Sequence, residues 1–145
     1  MRYLLDVNVL VALIDPDHVH SDFAHGWWVT ADHQFATCPL TENGAIRILS
    51  NPNYSSTVKF TTKQVIERLS EFAELYDHEF WPDDISLRDS KLLVTDRIFG
   101  ARQITDIYLL ALAIKNGGCL ITFDTGIPTS ALANMKATSL VVLET

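Results

Sequence analysis

The fold is decided by the stretch Tyr3-Leu4-Leu5-Asp6-Val7-Asn8-Val9-Leu10-Val11-Ala12-Leu13-Ile14, an apolar run that one acid interrupts. A strand that buries both faces is continuously hydrophobic, so the run predicts a buried strand from Tyr3 to Leu5. A helix is expected from about Val9. A carboxylate in such a run is costly unless it is paired or bound to a metal. Asp6 is therefore the first candidate functional residue.

Three further acids stand where apolar elements begin or end. Glu42 precedes an apolar helical stretch, Asp106 opens another, and Asp124 follows the apolar segment 120–123. Carboxylate oxygens are the ligands that hard cations such as Mg²⁺ and Mn²⁺ prefer. Together with Asp6, these acids predict a divalent cation site, and such a site can activate water for attack on phosphorus.

Short apolar segments alternate with longer helical stretches along the chain. Strands are predicted at 3–5, 35–38, 119–123 and 139–143, and a short strand and turn at 80–82. Helices are predicted from about 9, over 18–31, from about 41, over 63–77 and over 106–116. This alternation predicts an α/β fold with a mostly parallel central sheet flanked by helices. In such sheets ligands bind at the carboxyl ends of the strands.

Three sequence signals predict where helices start and stop. Thr61-Thr62-Lys63-Gln64 is typical of a capping box that opens an amphipathic helix. Thr105 is predicted to cap the helix that contains Asp106, and Gly117-Gly118 are predicted to end it.

Size and composition limit the class of protein. The chain has 145 residues and 48% hydrophobic residues, which predicts one domain over 1–145 and excludes a disordered chain. Cys38 and Cys119 lie in apolar surroundings and are expected to be buried free thiols. No run approaches the roughly 20 apolar residues of a membrane span, and no cleavable leader is evident. We expect a cytoplasmic protein without a membrane partner.

The net charge of −7 argues at first against a nucleic-acid partner. However, a metal-dependent nuclease concentrates acids in its cleft, where bound cations reverse the local field. Without the four candidate acids, 14 acidic residues face 11 basic ones. The composition therefore does not exclude RNA as a substrate.

Four segments together resemble a known family. Leu4-Leu5-Asp6-Val7-Asn8-Val9-Leu10 resembles the opening motif of PIN domains, and Thr41-Glu42-Asn43-Gly44-Ala45-Ile46-Arg47-Ile48-Leu49-Ser50 resembles their second acidic helix. Ile104-Thr105-Asp106-Ile107-Tyr108-Leu109-Leu110-Ala111-Leu112-Ala113 and Leu120-Ile121-Thr122-Phe123-Asp124 are similar to the third and fourth acidic motifs. The resemblance covers essentially the whole chain and is to VapC-type toxins of toxin–antitoxin pairs.

The resemblance implies a Mg²⁺- or Mn²⁺-dependent endoribonuclease that cleaves RNA. It also implies a homodimer and a cognate VapB-type antitoxin as partners. Carried over to this sequence, it makes Asp6 and Asp106 metal ligands. Glu42 and Asp124 would complete the site directly or through water, one of them orienting the attacking water.

Other polar residues have two interpretations each. Asn8 either supports the first acid, as the family position implies, or caps a helix. Thr122 either forms a hydrogen bond within the site or fills a strand position. Arg97 and Arg102 are candidates for RNA phosphate or an antitoxin carboxylate, and Arg47 for a local salt bridge.

Two other functions compete with the nuclease. One is a phosphotransferase with an aspartyl nucleophile, although Asp6-Val7-Asn8 lacks the second acid of the usual Asp-x-Asp arrangement. The other is a non-catalytic binding module whose acids are structural or only hold a cation.

Overall fold

A five-stranded parallel sheet lies between two layers of helices in the computed structural model, which describes residues 1–144. The strands are β1 (Tyr3–Leu5), β2 (Gln34–Thr37), β3 (Asp77–Phe80), β4 (Cys119–Thr122) and β5 (Leu140–Val142). Their order across the sheet is β3-β2-β1-β4-β5, and every neighbouring pair is parallel. The predicted α/β fold is confirmed.

The helices between these strands cover both faces of the sheet. They are α1 (Val7–Ile14), α2 (Ser21–Trp28), α3 (Pro39–Leu49), α4 (Thr62–Leu75) and α5 (Ile104–Lys115). α1 begins at Val7, two residues before the prediction, because Asp6 caps it. α3 begins at Pro39 because proline suits the first helical position. None of the helices in the described part is long and apolar enough to cross a membrane.

The predicted helix signals have different outcomes. The capping box of α4 is confirmed, because the N–H of Gln64 donates to Thr61 Oγ1 over 3.1 Å and the N–H of Thr61 donates to Gln64 Oε1 over 2.9 Å. Gly117 follows α5 with a φ of +69°, the left-handed conformation that glycine allows. The prediction for Thr105 is wrong, because α5 begins at Ile104 and Thr105 lies inside its first turn.

Leu4 and Leu5 point to opposite faces of β1, as successive strand residues do. Leu4 packs in the core layer that contains α5, and Leu5 packs in the layer that contains α1. Both side chains are fully buried, and each such burial contributes about 1.5–3 kcal/mol. Two apolar layers explain why the first strand is continuously hydrophobic. Cys38 and Cys119 are buried and free, as predicted.

The order of the strands creates a switch point between β1 and β4. From β1 the chain adds β2 and β3 on one side, and it then crosses to add β4 and β5 on the other. Crevices at the carboxyl ends of strands at such a point are the usual binding sites of open α/β sheets. Asp6 directly follows β1, and Asp124 follows β4 by two residues. The topology thus brings two of the predicted acids to one crevice.

Gly44 allows α3 to approach the start of α1 closely. A methyl group added at Gly44 would lie 2.8 Å and 3.2 Å from the two γ-carbons of Val7. Val7 is β-branched and is held in one rotamer on a helix, so it yields little. The contact matters for the site because Val7 is the neighbour of Asp6 in the chain.

We predict that Gly44→Ala lowers the free energy of unfolding by about 1–3 kcal/mol, because the added methyl group overpacks the contact between α3 and α1. Urea unfolding measures the change. Gly26→Ala in α2 is the matched control, since nothing lies within 4 Å of its added carbon. The control should be neutral or stabilising by up to about 1 kcal/mol, because alanine favours a helix over glycine. Equal stability of the two variants would contradict a tight contact at Gly44.

Candidate active site

Asp6 is a buried carboxylate held by two hydrogen bonds. It is 6% exposed and is the N-cap of α1, with Oδ1 accepting the N–H of Val7 over 2.7 Å. Oδ2 accepts the hydroxyl of Thr122 over 2.6 Å. Burial raises the pKa of Asp6, and these hydrogen bonds oppose the rise because they favour the charged form. The positive end of the α1 dipole favours the same charge.

Thr122 connects the end of β4 to Asp6. Its side chain is fully buried, and its hydroxyl donates to Asp6 while accepting the backbone N–H of Asp124 over 3.0 Å. Asp124 is exposed, and its Oδ1 accepts the N–H of Gly126 over 2.7 Å. The hydroxyl of Thr122 therefore holds both the carboxylate of Asp6 and the backbone at Asp124 in place.

Asp106 lies in the first turn of α5 and faces the other two aspartates. Burial, a hydrogen bond with Asp124 and the charge of Asp6 raise the pKa of Asp106 to about 7. The hydrogen bond from Asp106 and the N–H of Gly126 lower the pKa of Asp124. The two carboxyl groups thus share a proton near neutral pH, as neighbouring acids do when no cation separates them.

The three aspartates line one cleft of about 320 Å³ at the carboxyl edge of the sheet. Asn8, Arg47 and Thr105 also line it. Asn8 is exposed in the first turn of α1. Its alternative role as a helix cap is wrong, because Asp6 is the N-cap.

Glu42 does not line this cleft. Its Oε2 accepts the hydroxyl of Thr37 over 2.6 Å, and the same hydroxyl lies 2.7 Å from Nε2 of His78. Glu42 lines a separate cavity of about 140 Å³ against α4. The helical period explains the separation, because Glu42 is about 200° around α3 from Gly44, which faces the aspartates. The structure therefore brings together three of the four predicted acids.

Arginines occupy different places from those expected. Arg97 and Arg102 are exposed in the single turns Thr95–Arg97 and Ala101–Gln103, and neither lines the cleft. Arg47 does line it, and within residues 1–144 it has no ion pair, so its expected local salt bridge is absent. The spacing of Arg47, three residues after Gly44, is the signal in the sequence that places both on one helix face.

The donors in the cleft suit a hard cation that keeps part of its water. Each oxygen of Asp6 accepts one hydrogen bond and retains a second lone pair for a ligand. In residues 1–144 no group of three His, Cys, Asp or Glu side chains stands at a spacing that could hold a metal ion. Mg²⁺ is usually held by one or two carboxylates and several waters, so a site for it does not require three side chains at that spacing.

The pKa of Asp106 predicts how stability depends on pH without a metal. The folded state binds the proton of Asp106 more tightly than the unfolded state, whose pKa is near 4. The stabilisation that the bound proton of Asp106 gives the folded state is therefore fully present below about pH 4, and it is lost as the pH rises toward 7. We predict that Asp106→Asn in EDTA raises the Tm by a few degrees above pH 7 and leaves it unchanged near pH 4.

Thermal melting at several pH values measures this effect. Asp96→Asn is the matched control, because Asp96 is exposed in the turn Thr95–Arg97 and does not line the cleft. A variant Asp106→Asn that is less stable than the wild type at every pH would show that this carboxyl group supports the fold.

Comparisons with known proteins identify the family of the chain. The sequence model of the PIN domain matches residues 3–131. Ribonuclease VapC44 of Mycobacterium tuberculosis is 40% identical over 134 residues, which cover 91% of this chain and 92% of that protein. Ribonuclease VapC39 of the same organism is 40% identical over 136 residues, 93% of this chain and 97% of that protein.

Solved structures share the fold at low sequence identity. A chain of VapBC2 from Rickettsia felis, bound to a DNA fragment from their promoter, matches with a TM-score of 0.53 and 16% identity, covering 87% of this chain and 90% of that one. VapC20 of Mycobacterium tuberculosis, a toxin that cleaves the Sarcin-Ricin loop, matches with a TM-score of 0.54 and 10% identity over 80% of this chain and 84% of that one. The resemblance seen in the sequence is confirmed, and the chain belongs to the PIN domain family, among the VapC ribonucleases.

Proposed function

We propose that this chain is the toxin of a VapBC-type pair, an endoribonuclease that hydrolyses RNA phosphodiester bonds with the help of Mg²⁺ or Mn²⁺. The observation that carries the proposal is the convergence of Asp6, Asp106 and Asp124 in one cleft without a paired cation. The relatives named ribonuclease VapC support the choice of RNA and of hydrolysis.

In this proposal Asp6, Asp106 and Asp124 hold the divalent cation. When bound, such an ion lowers the pKa of a water and stabilises negative charge on a phosphate oxygen. Asp6 stays in place because Val7 and Thr122 each donate to one of its oxygens. Asp124 is exposed and anchored by Gly126, so we assign to it the orientation of the attacking water.

Asn8 and Thr122 support these acids in different ways. Thr122 is a positioning residue, since its hydroxyl contacts both Asp6 and the backbone of Asp124. Asn8 is exposed at the cleft and would offer its amide to the RNA or to a water.

We propose Glu42 as a fourth acid that contributes to cleavage, and this role can be tested separately. It accepts a hydrogen bond from Thr37 and lines a cavity separate from the aspartate cleft. We predict that Glu42→Gln lowers the cleavage rate while the binding of Mn²⁺ to the aspartates is retained. If Glu42→Gln cleaves RNA at the rate of the wild type, Glu42 does not contribute to cleavage and the acidic site consists of the three aspartates.

The main prediction concerns the aspartates. Asp6→Asn, Asp106→Asn and Asp124→Asn should each lower kcat for RNA cleavage by at least about 100-fold, the scale on which positioned acid–base groups contribute. EDTA should abolish cleavage by the wild type, and Mg²⁺ or Mn²⁺ should restore it. The measurement is cleavage of structured and single-stranded RNA by the chain purified without an antitoxin.

The control and the alternatives use the same assay. Asp96→Asn removes an exposed carboxylate outside the cleft and should cleave at the rate of the wild type. RNA binding without cleavage, unchanged by Asp106→Asn, would favour a non-catalytic module. The aspartyl phosphotransferase would use an oxygen of Asp6 as its nucleophile, although no second acid stands at position 8. Capture of beryllofluoride at Asp6 would nevertheless support that enzyme.

The proposal also includes the partners of the protein and the cellular compartment in which it acts. A VapB-type antitoxin is supported by the likeness of this fold to the VapBC2 structure of Rickettsia felis. We also propose a homodimer, which light scattering of the purified chain tests, and a cytoplasmic location, which the two free buried cysteines support.

A further inference from the structure

Arg47 is a cationic side chain on the wall of an acidic cleft. It lies on the same face of α3 as Leu40, Gly44 and Ile48, all of which line the cleft together with the three aspartates. Its side chain is exposed to solvent. The close approach of Gly44 to Val7 brings this face of α3 against the start of α1, and hence to Asp6.

Arg47 has no structural partner that explains its position. Within residues 1–144, no carboxylate oxygen lies within 4.0 Å of its guanidinium nitrogens, although three carboxylates share the cleft. Two other arginines have partners, since Arg2 pairs with Asp77 and Glu79, and Arg68 lies 4.8 Å from the ring centre of Phe60. Arg88, Arg97 and Arg102 also have no ion pair within residues 1–144, but unlike Arg47 they do not line the cleft. The hydrogen-bond donors of Arg47 are therefore free for a ligand.

The chemistry of the cleft identifies the class of that ligand. A guanidinium group matches the geometry of a phosphate with two parallel hydrogen bonds. The chain carries a net charge of −7, so a polyanion that approaches the aspartates is repelled by most of the surface. The positive charge of Arg47 offsets this repulsion at the mouth of the cleft, where the RNA strand would enter. Arg97 and Arg102 are not placed to do so, because neither lines the cleft.

We infer that Arg47 binds a phosphate of the RNA strand at the mouth of the aspartate cleft and thereby positions the strand for cleavage. The inference rests on the proposed ribonuclease function and adds to it a substrate-binding residue. Arg47 contacts a phosphate and no base, so it contributes to affinity without selecting a sequence.

Direct RNA binding tests the inference separately from cleavage. The probe is a fluorescent RNA hairpin with a single-stranded loop, measured with Mg²⁺ in an Asp106→Asn background that is expected not to cleave. Adding Arg47→Gln should raise the Kd about 10- to 100-fold, the scale of hydrogen bonds to a charged group. The slope of log Kd against log salt should fall by about 0.7–1, because one phosphate contact is lost.

Two matched variants separate the effect of position from that of charge. Arg88→Gln removes one exposed positive charge outside the cleft and should leave both Kd and salt slope unchanged. Arg47→Lys retains the charge but not the two parallel hydrogen bonds, so it should keep the slope and lose part of the affinity. Unchanged melting of Arg47→Gln checks that the variant is folded. In the cleaving chain, Arg47→Gln should raise KM more than it lowers kcat.

The outcomes distinguish this inference from the proposed function. Unchanged RNA affinity and salt slope in Arg47→Gln would overturn the inference, even if the wild type cleaves RNA. Weaker inhibition by the antitoxin together with unchanged RNA binding would also overturn it, because Arg47 would then recognise a protein carboxylate. A wild type that binds RNA through Arg47 but never cleaves it would sustain the phosphate contact and refute the ribonuclease.

Discussion

The hydrogen bond from Thr122 to Asp6 joins the two halves of the sheet at the point on which the site depends. It links residues 116 positions apart in the chain and is buried from solvent. The parallel pairing of β1 with β4 makes it possible, because Leu5 lies opposite Ile121 and the residue after each is at the same edge. The carboxylate of Asp6 also caps α1, so the start of that helix, the end of β4 and the acidic cleft share one anchor.

The cleft holds its carboxylates against their mutual repulsion. Burial raises the pKa of Asp6 and of Asp106, and the hydrogen bond from Asp106 lowers the pKa of Asp124. Such an arrangement is unfavourable without a counter-charge, and the rigid elements around it maintain the geometry. A divalent cation bound in the cleft, as proposed above, would supply that counter-charge.

The two faces of α3 carry side chains that belong to different sites. On one face Gly44 packs on Val7, and Arg47 reaches the aspartate cleft. On the other face Glu42 joins Thr37 and His78 in a hydrogen-bonded group against α4. Because these faces lie far apart around the helix, the contact between Gly44 and Val7 determines which of them meets the aspartates and also contributes to stability.

The sequence by itself determined the local features. The apolar run through Leu4 and Leu5 predicted a strand buried on both faces, and Thr61 and Gln64 predicted a capping box, because these depend on near neighbours in the chain. Asp6 stood out as a candidate because an acid in an apolar run needs a local explanation. Only the tertiary structure decided that Glu42 lies apart from the aspartates and that Arg47 lies with them. Both depend on the rotation of α3 against α1, which packing between distant residues sets and no local pattern encodes.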